Sequence, residues 1–422
     1  MPFEFVQKER VAIIGAGVSG LAAAYELAAD KAVTLFEAAP RLGGHARTVM
    51  AGDVAVDTGF IVFNYPNYPQ LTRMFAELGV PVKKSNMNFS ASIGGGHIEY
   101  GLRSVKALFA QKRNLVRPGF WRMLRDIAHF NKHAVVMAKN PDLSIAELLD
   151  SMNMGNWFRE YYLLPISGAI WSSTPEQIGE FPARSLVQFF ENHALLTTNN
   201  HQWYTVDGGS IEYVRRIAEA IKALGGYIET NAPVASVRRK ADGVVVTRRN
   251  GQAERFDQVI FACHSDDALK LLAAPSKAEQ NILSKMRYQD NRAVLHSDAR
   301  QMPWRKNCWS SWVFQTADTS PAPAIGITYW MNSLQGLDTD QQLFVTLNPR
   351  TEIAPALTHD ETVFRHPIFD QAAVAAQAEL KTIQGDNHTW FCGAYTRFGF
   401  HEDGYASAVA VANMLREKEV VA

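Results

Sequence analysis

Near its start the chain reads "RVAIIGAGVSGLAAAYEL", Arg10 to Leu27. "VAIIG" is an unbroken apolar run, the pattern of a strand buried on both faces. "LAAAYELAAD" then strings together strong helix formers. "AVTLFE" is a second apolar strand, ending in Glu37. Far downstream, "PVASVRR", "GVVVTRR" and "ERFDQVIFAC" alternate apolar and polar positions and predict a β-meander. "DQVIFACHSDDAL" returns a strand to the first unit. At the far end, "TWFCGA" predicts a strand, and Gly404 opens a small-residue helix, "YASAVAVANML". The pattern predicts an α/β, Rossmann-like nucleotide domain that is discontinuous in sequence, built from 1–75, 225–275 and 385–422. The remaining segments, 76–224 and 276–384, are assigned to a mixed α+β substrate domain.

The glycines give the first unit its chemistry. Gly15, Gly17 and Gly20 stand in GxGxxG spacing between strand and helix. Gly15 allows the tight turn, Gly17 lets backbone approach a pyrophosphate, and Gly20 lets helix pack on strand. Val18 and Ser19 open the helix, whose N-terminus faces the anion. Glu37, followed by Ala38, sits at the second strand's end, where a carboxylate accepts from both ribose hydroxyls and repels a 2′-phosphate. Together these elements predict dinucleotide binding.

Composition narrows the class. Of 422 residues, 47% are hydrophobic, and 42 basic residues balance 42 acidic ones, which excludes a nucleic-acid-coating chain. "MPFEFVQKER" lacks the apolar stretch of a signal peptide. No apolar run reaches the roughly 18 residues of a membrane span. The three cysteines, Cys263, Cys308 and Cys392, are scattered, which suits a reducing cytoplasm and no metal site.

After Glu37 comes "AAPRLGGHARTV", with Arg41, Gly43, Gly44 and His45. This resembles the RxGG[R/H] extension of flavoproteins of the amine oxidase superfamily. "VDTGFIVFN", with Thr58, Gly59, Phe60 and Ile61, resembles the stretch that passes the flavin ring there. The resemblance continues at Val234, where a backbone valine meets the adenine. It continues at Cys263 on the returning strand, and at Gly393, Glu402, Asp403, Gly404 and Ala406 in the closing strand–loop–helix. The resemblance implies FAD, held noncovalently in a GR2-type domain, with an amine-oxidase-like substrate domain. "GFHEDG", "TYWMNSLQGL", "VTLNP", "FFENHALL" and "WYTVDGGS" are similar to a bacterial subfamily of NAD/FAD-binding oxidoreductases. Its members are often encoded beside methyltransferases of the cyclopropane-fatty-acid-synthase type, which implies a lipid-linked substrate.

One departure separates the chain from simple amine oxidation. Amine oxidases carry a strand lysine that holds a water near the flavin. "MRYQDNRAVLHSD" offers Asn291, Arg292 and His296 instead. His401 aligns with a position often occupied by an aromatic cage residue, and histidine titrates near neutrality. His401, Tyr395, Trp330 and Asn192 are therefore the candidate catalytic or pocket residues, with His193 and Asn332 beside them. Aromatic stretches such as "NWFREYYLLP", "AIWSS", "QFFENH" and "CWSSWVF" could line an apolar tunnel or fill a core.

The segment from Arg103 to Lys139 carries nine Lys/Arg against one acid, Asp126, with Leu, Phe and Trp interleaved. Such a segment suits an anionic membrane surface on the cytoplasmic side. The leading expectation is an FAD-dependent oxidoreductase that takes hydride from an apolar, fatty-acyl or related lipid substrate. Competing readings are an amine or amino-acid oxidase, a non-redox flavin isomerase, and an FAD- or lipid-binding escort.

Overall fold

The computed structural model describes residues 8–140, 143–171, 175–193, 195–196, 201–316, 326–349 and 351–421. The end of "AIWSS" and Ala194 of "FFENHALL" lie outside the described residues.

Five parallel strands form the first sheet, in the order Tyr227–Glu229, Ala32–Phe36, Arg10–Ile14, Gln258–Phe261, Thr389–Phe391. Helices Val18–Leu27 and His401–Val421 pack together on one face. The three-stranded meander Val234–Lys240, Gly243–Arg248, Ala253–Phe256 lies beside the other. The apparent single strand "ERFDQVIFAC" is two. Asp257 separates them: its N–H bonds to Arg10 O at 2.9 Å, and its carboxylate accepts from Arg10 N at 2.7 Å. That exchange passes the chain from the meander into the parallel sheet.

The substrate unit is a seven-stranded mixed sheet. Its order is Thr358–Pro367, Tyr288–His296, Phe344–Leu347, Gly326–Trp330, Trp312–Gln315, Phe89–Ile93, Ile98–Gly101. Helices Pro118–Met137, Ile145–Ser151 and Ala183–Asn192 pack around its 89–101 end. Two elements cross the boundaries drawn from sequence. Helix Ile211–Ala223 buries Tyr213, Val214, Ile217 and Ile221 in the cofactor-side core. Helix Gln371–Glu379 places Ala376 beneath the parallel sheet. The apolar stripe of Ile211–Ala223 announces a helix, but the core each of the two faces is set by tertiary packing.

The glycine turn is closed by backbone-on-backbone contact. A Cβ on Gly20 would fall 1.7 Å from Gly15 O, and Gly15 itself has φ +101°. Gly20→Ala must therefore push strand and helix apart. We expect it to lower the unfolding free energy by more than about 3 kcal/mol, measured by urea denaturation. A near-wild-type midpoint would show that the turn relaxes cheaply.

Candidate active site

The cofactor cradle is built from small residues. Gly17 precedes helix Val18–Leu27 with no side-chain cap, so the first helical N–H groups are left for a ligand. Gly43 N donates to Ala16 O at 2.8 Å and brings the second glycine pair against the first. A Cβ on Gly44, which has φ +56°, would stand 3.0 Å from Gly17 Cα. Val18 and Ser19 are buried where Gly404 crosses them; a Cβ there would meet Ser19 Oγ at 2.8 Å. Glu37 accepts from Ala16 N at 2.7 Å and Ala39 N at 2.8 Å, which anchors its carboxylate beside the turn, with Ala38 exposed next to it. Val234 is buried at the head of its strand, and nearby Ala232 N bonds to Glu37 O at 2.8 Å. Arg41 donates to Gly44 O at 2.8 Å and so braces the loop as well as charging it. An uncapped helix start, two opposed glycine pairs and an anchored carboxylate fit a dinucleotide such as FAD.

The stretch Thr58–Ile61 runs on from the cradle. Gly59 is obligatory, because a Cβ would sit 1.9 Å from His45 O. The Phe60 ring stacks on His401 at 4.0 Å. The closing helix begins at His401, three residues earlier than Gly404 suggests, so His401 lies in its first turn. His401 Nε2 lies 3.1 Å from the Tyr213 hydroxyl, and burial pushes its pKa down to about 3. At neutral pH it is an uncharged, aromatic-stacked imidazole.

Several sequence candidates act elsewhere. Asn192 is exposed at a helix end, and its Oδ1 accepts from Gln188 at 3.0 Å. Trp330 packs with Trp309 and Phe344, and its indole N–H bonds to Gln342 at 2.9 Å. Its strand neighbour Tyr329 takes the opposite face and contacts the cluster containing Phe364. Asn332 closes a local turn, donating to Gln341 O at 2.8 Å. Tyr395 is buried in the core under the parallel sheet rather than in a pocket wall. Glu402 accepts from Gln70 N and Leu71 N at 2.9 Å, capping helix Pro69–Glu77. Asp403 accepts from Phe398 N at 3.1 Å and Phe400 N at 3.0 Å. Both carboxylates thus serve backbone. Gly393 N bonds to Ser407 Oγ at 2.9 Å, holding the closing loop on its helix, where Ala406 is half-buried. Cys263 flanks the Gly15 turn, and burial raises its thiol pKa.

Two groupings were not legible in the sequence, although some of their members were. An aromatic lane leads away from His401: Phe400 stacks on Phe189 at 5.0 Å, Phe398 approaches Phe189 at 6.0 Å, and His193 stacks on Phe189 at 3.8 Å. His193 Nδ1 lies 2.9 Å from Phe189 O. The second feature is a group of imidazoles. His45 lies 5.7 Å from both His264 and His366, and 5.0 Å from Phe364. Its members come from three distant segments, and an isolated histidine carries no periodic signal. His264 also approaches Asp266 and Asp267, but those carboxylates pair with Arg365 at 2.5 and 2.7 Å and with Lys270. Charge balance therefore favours an ion-paired group over a cation site.

Burial lowers His193, His264, His296 and His366 to about 4, and His401 to about 3. As pH falls below the unfolded histidine value, about 6.5, the unfolded chain takes up protons first. Asp57 and Asp403, raised by burial to about 6, act oppositely but are outnumbered. The cofactor-free protein should therefore lose stability between pH 6.5 and about 4. Urea midpoints across that range check this; a rising midpoint on acidification would contradict it.

Comparison with known proteins agrees with this geometry. Residues 18–330 match the sequence model of flavin containing amine oxidoreductases. A Mycobacterium tuberculosis protein assigned as a flavin-containing monoamine oxidase is 28% identical over 258 residues, 58% of this chain and 54% of that protein. The chain thus spans about half the length of that curated relative. Among solved structures, a CLA-producing fatty acid isomerase from P. acnes superposes with TM-score 0.68 at 13% identity, over 97% of this chain and 98% of that one. Cyclohexylamine oxidase from Brevibacterium oxydans gives 0.66 at 16%, over 97% and 100%. With the glycine cradle in place and most of its length matched, the chain belongs to the flavin-containing amine oxidoreductase family, and its cofactor is FAD.

Proposed function

We propose that the chain is an FAD-dependent oxidoreductase that takes hydride from an apolar substrate of the fatty-acyl or lipid class. The observation that carries this is the neutrality of the lane beside His401. Phe60, Phe189, Phe398 and Phe400 flank it, and the two acids that follow His401 in the chain, Glu402 and Asp403, accept from backbone N–H groups. Nothing in that set is free to hold an ammonium. The strand expected to carry a lysine places Asn291 inward, while Arg292 faces outward and pairs with Glu361 at 2.6 Å. FAD, when bound, supplies the hydride acceptor. The protein's part is to exclude water, orient the chain among aromatic rings and keep His401 uncharged, hydrogen-bonded to Tyr213. The fatty acid isomerase shows that the same fold serves a fatty acid elsewhere.

The exposed parts of the basic segment support one surface for meeting a lipid. The basic segment is broken: Val105–Leu108 is a short helix, Lys112–Val116 a tight turn, and Pro118–Met137 a helix. The long helix spends Phe120, Met123, Phe130 and Ala134 on the core, so it is not a free amphipathic face. The most exposed apolar residues here are Val105 at 74% exposure, Val116 at 79% and, from a distant segment, Trp304 at 82%, with Trp121 and Val136 also outside on the long helix. Glu99 ties that segment in, accepting from Trp304 N at 2.8 Å and Arg305 at 2.6 Å. Lys106, Lys112 and Arg113 are exposed on the 103–139 stretch, beside Val105 and Val116. Exposed apolar tips with cations close by in sequence suit an anionic bilayer.

Two experiments test the proposal. Anaerobic mixing with phospholipid extract should bleach the flavin absorbance, while a panel of amines should not. Bleaching by an amine alone would restore the family's namesake chemistry, and a lipid product of unchanged mass would indicate isomerisation. In vesicle sedimentation, Lys112→Glu/Arg113→Glu and, separately, Val105→Ser/Trp304→Ser should each cut binding to phosphatidylglycerol vesicles by about tenfold. Equal binding of all forms, or equal binding to neutral vesicles, would sink the docking surface.

A further inference from the structure

Asn291, on strand Tyr288–His296, and Asn348, just past strand Phe344–Leu347, form a hydrogen-bonded pair that reaches His366. Arg292 N, a backbone donor, lies 3.0 Å from Asn348 Oδ1. That contact orients the Asn348 amide, so its Nδ2 donates to Asn291 Oδ1 at 2.8 Å. The Asn291 amide is oriented in turn. Its Nδ2 donates to Gln289 O at 3.3 Å and meets His366 Nδ1 at 3.1 Å. An amide nitrogen cannot accept, so His366 Nδ1 must, and its proton sits on Nε2. Asn348 is suited to its post. It has φ +49°, a conformation asparagine tolerates, and its N–H bonds to Arg292 O at 2.7 Å. This gives a physical role to the "VTLNP" stretch.

His366 Nε2–H has no protein acceptor among the described residues. Its ring lies 5.7 Å from that of His45, which directly follows the cradle glycines Gly43 and Gly44. The surrounding groups supply no acid to charge it. His45 and His264 are themselves held neutral by burial, Tyr288 stacks on His264 at 4.3 Å, and Asp266 and Asp267 are paired with Arg365 and Lys270. Arg41 and His401 add only repulsion toward a charge on His45.

We propose that His366 is a neutral Nε2–H donor to an acceptor atom of the bound FAD, with Asn291 and Asn348 as the positioning residues that fix its tautomer. It stands on the substrate-domain strand beside the one where a lysine is absent, so it supplies a hydrogen bond without a charge. Burial keeps the imidazole uncharged down to about pH 4.

The test uses the FAD-loaded protein and reads cofactor affinity by fluorescence titration and the flavin midpoint potential by spectroelectrochemistry. His366→Phe and Asn291→Leu should each weaken FAD by about tenfold, or shift the midpoint by the equivalent, about 30 mV for a two-electron couple. His366→Gln, which keeps a donor, should recover most of the loss. Asn291→Asp places a carboxylate on Nδ1 and stabilises the imidazolium. The flavin spectrum should then titrate between about pH 5 and 8, where the wild type is flat. If the folded Phe, Leu and Asp variants all keep wild-type affinity, potential and pH profile, the assignment is wrong.

Discussion

The structure depends on two places where backbone lies directly on backbone. At Gly20 the helix rests on the carbonyl of Gly15, and at Gly59 the chain rests on the carbonyl of His45. Neither contact leaves room for a side chain. The first brings a helix N-terminus, with its unspent N–H groups, over the strand ends, and the second sets Phe60 where it stacks on His401. Close approach of this kind costs conformational entropy in the unfolded chain, and a large buried core offsets it. Helices Val18–Leu27 and His401–Val421, opposite ends of the sequence, form much of that core.

Polar contacts then lock the two units together. Arg47, just past the cradle, forms an ion pair with Asp360 on the long substrate strand, with Nη2 and Oδ1 3.0 Å apart. Asp57 is buried and accepts from Thr48 Oγ1 at 2.6 Å and Ser210 N at 2.8 Å, while its own N–H bonds to Gln335 at 3.0 Å. These groups have several partners each, as buried charge requires. The result is a mostly neutral region beside His401 and His45. Its histidines are uncharged, its acids are occupied, and its aromatic side chains supply shape.

Much of the cofactor unit was legible in the sequence because its signals are local. A buried apolar strand, a glycine turn and a helix of strong formers occupy adjacent residues, and Glu37 follows at a fixed distance. The meander and the closing strand–helix were legible for the same reason. Side-chain direction was not. Trp330 and Tyr329 are neighbours, and only the strand's orientation decides which faces the interior. Glu402 and Asp403 read as cofactor residues but are drawn to unsatisfied N–H groups that tertiary contact places beside them. Asn192 read as a polar residue in an apolar stretch, yet it falls on the solvent side at its helix end.

The sequence by itself determined the glycine turn between its first strand and helix and the distant strands that return to the same parallel sheet. It did so because the glycine turn, the buried apolar strands and the helix of strong formers are each local signals, read within short stretches of chain. Only the tertiary structure decided what the active-site region contains. His45, His264 and His366 are separated by long stretches of chain, and the Asn348–Asn291 pair that orients His366 joins two strands. Whether such groups meet depends on strand register and on the packing of two units. Those are set by the summed burial of many side chains, and no single stretch records the outcome.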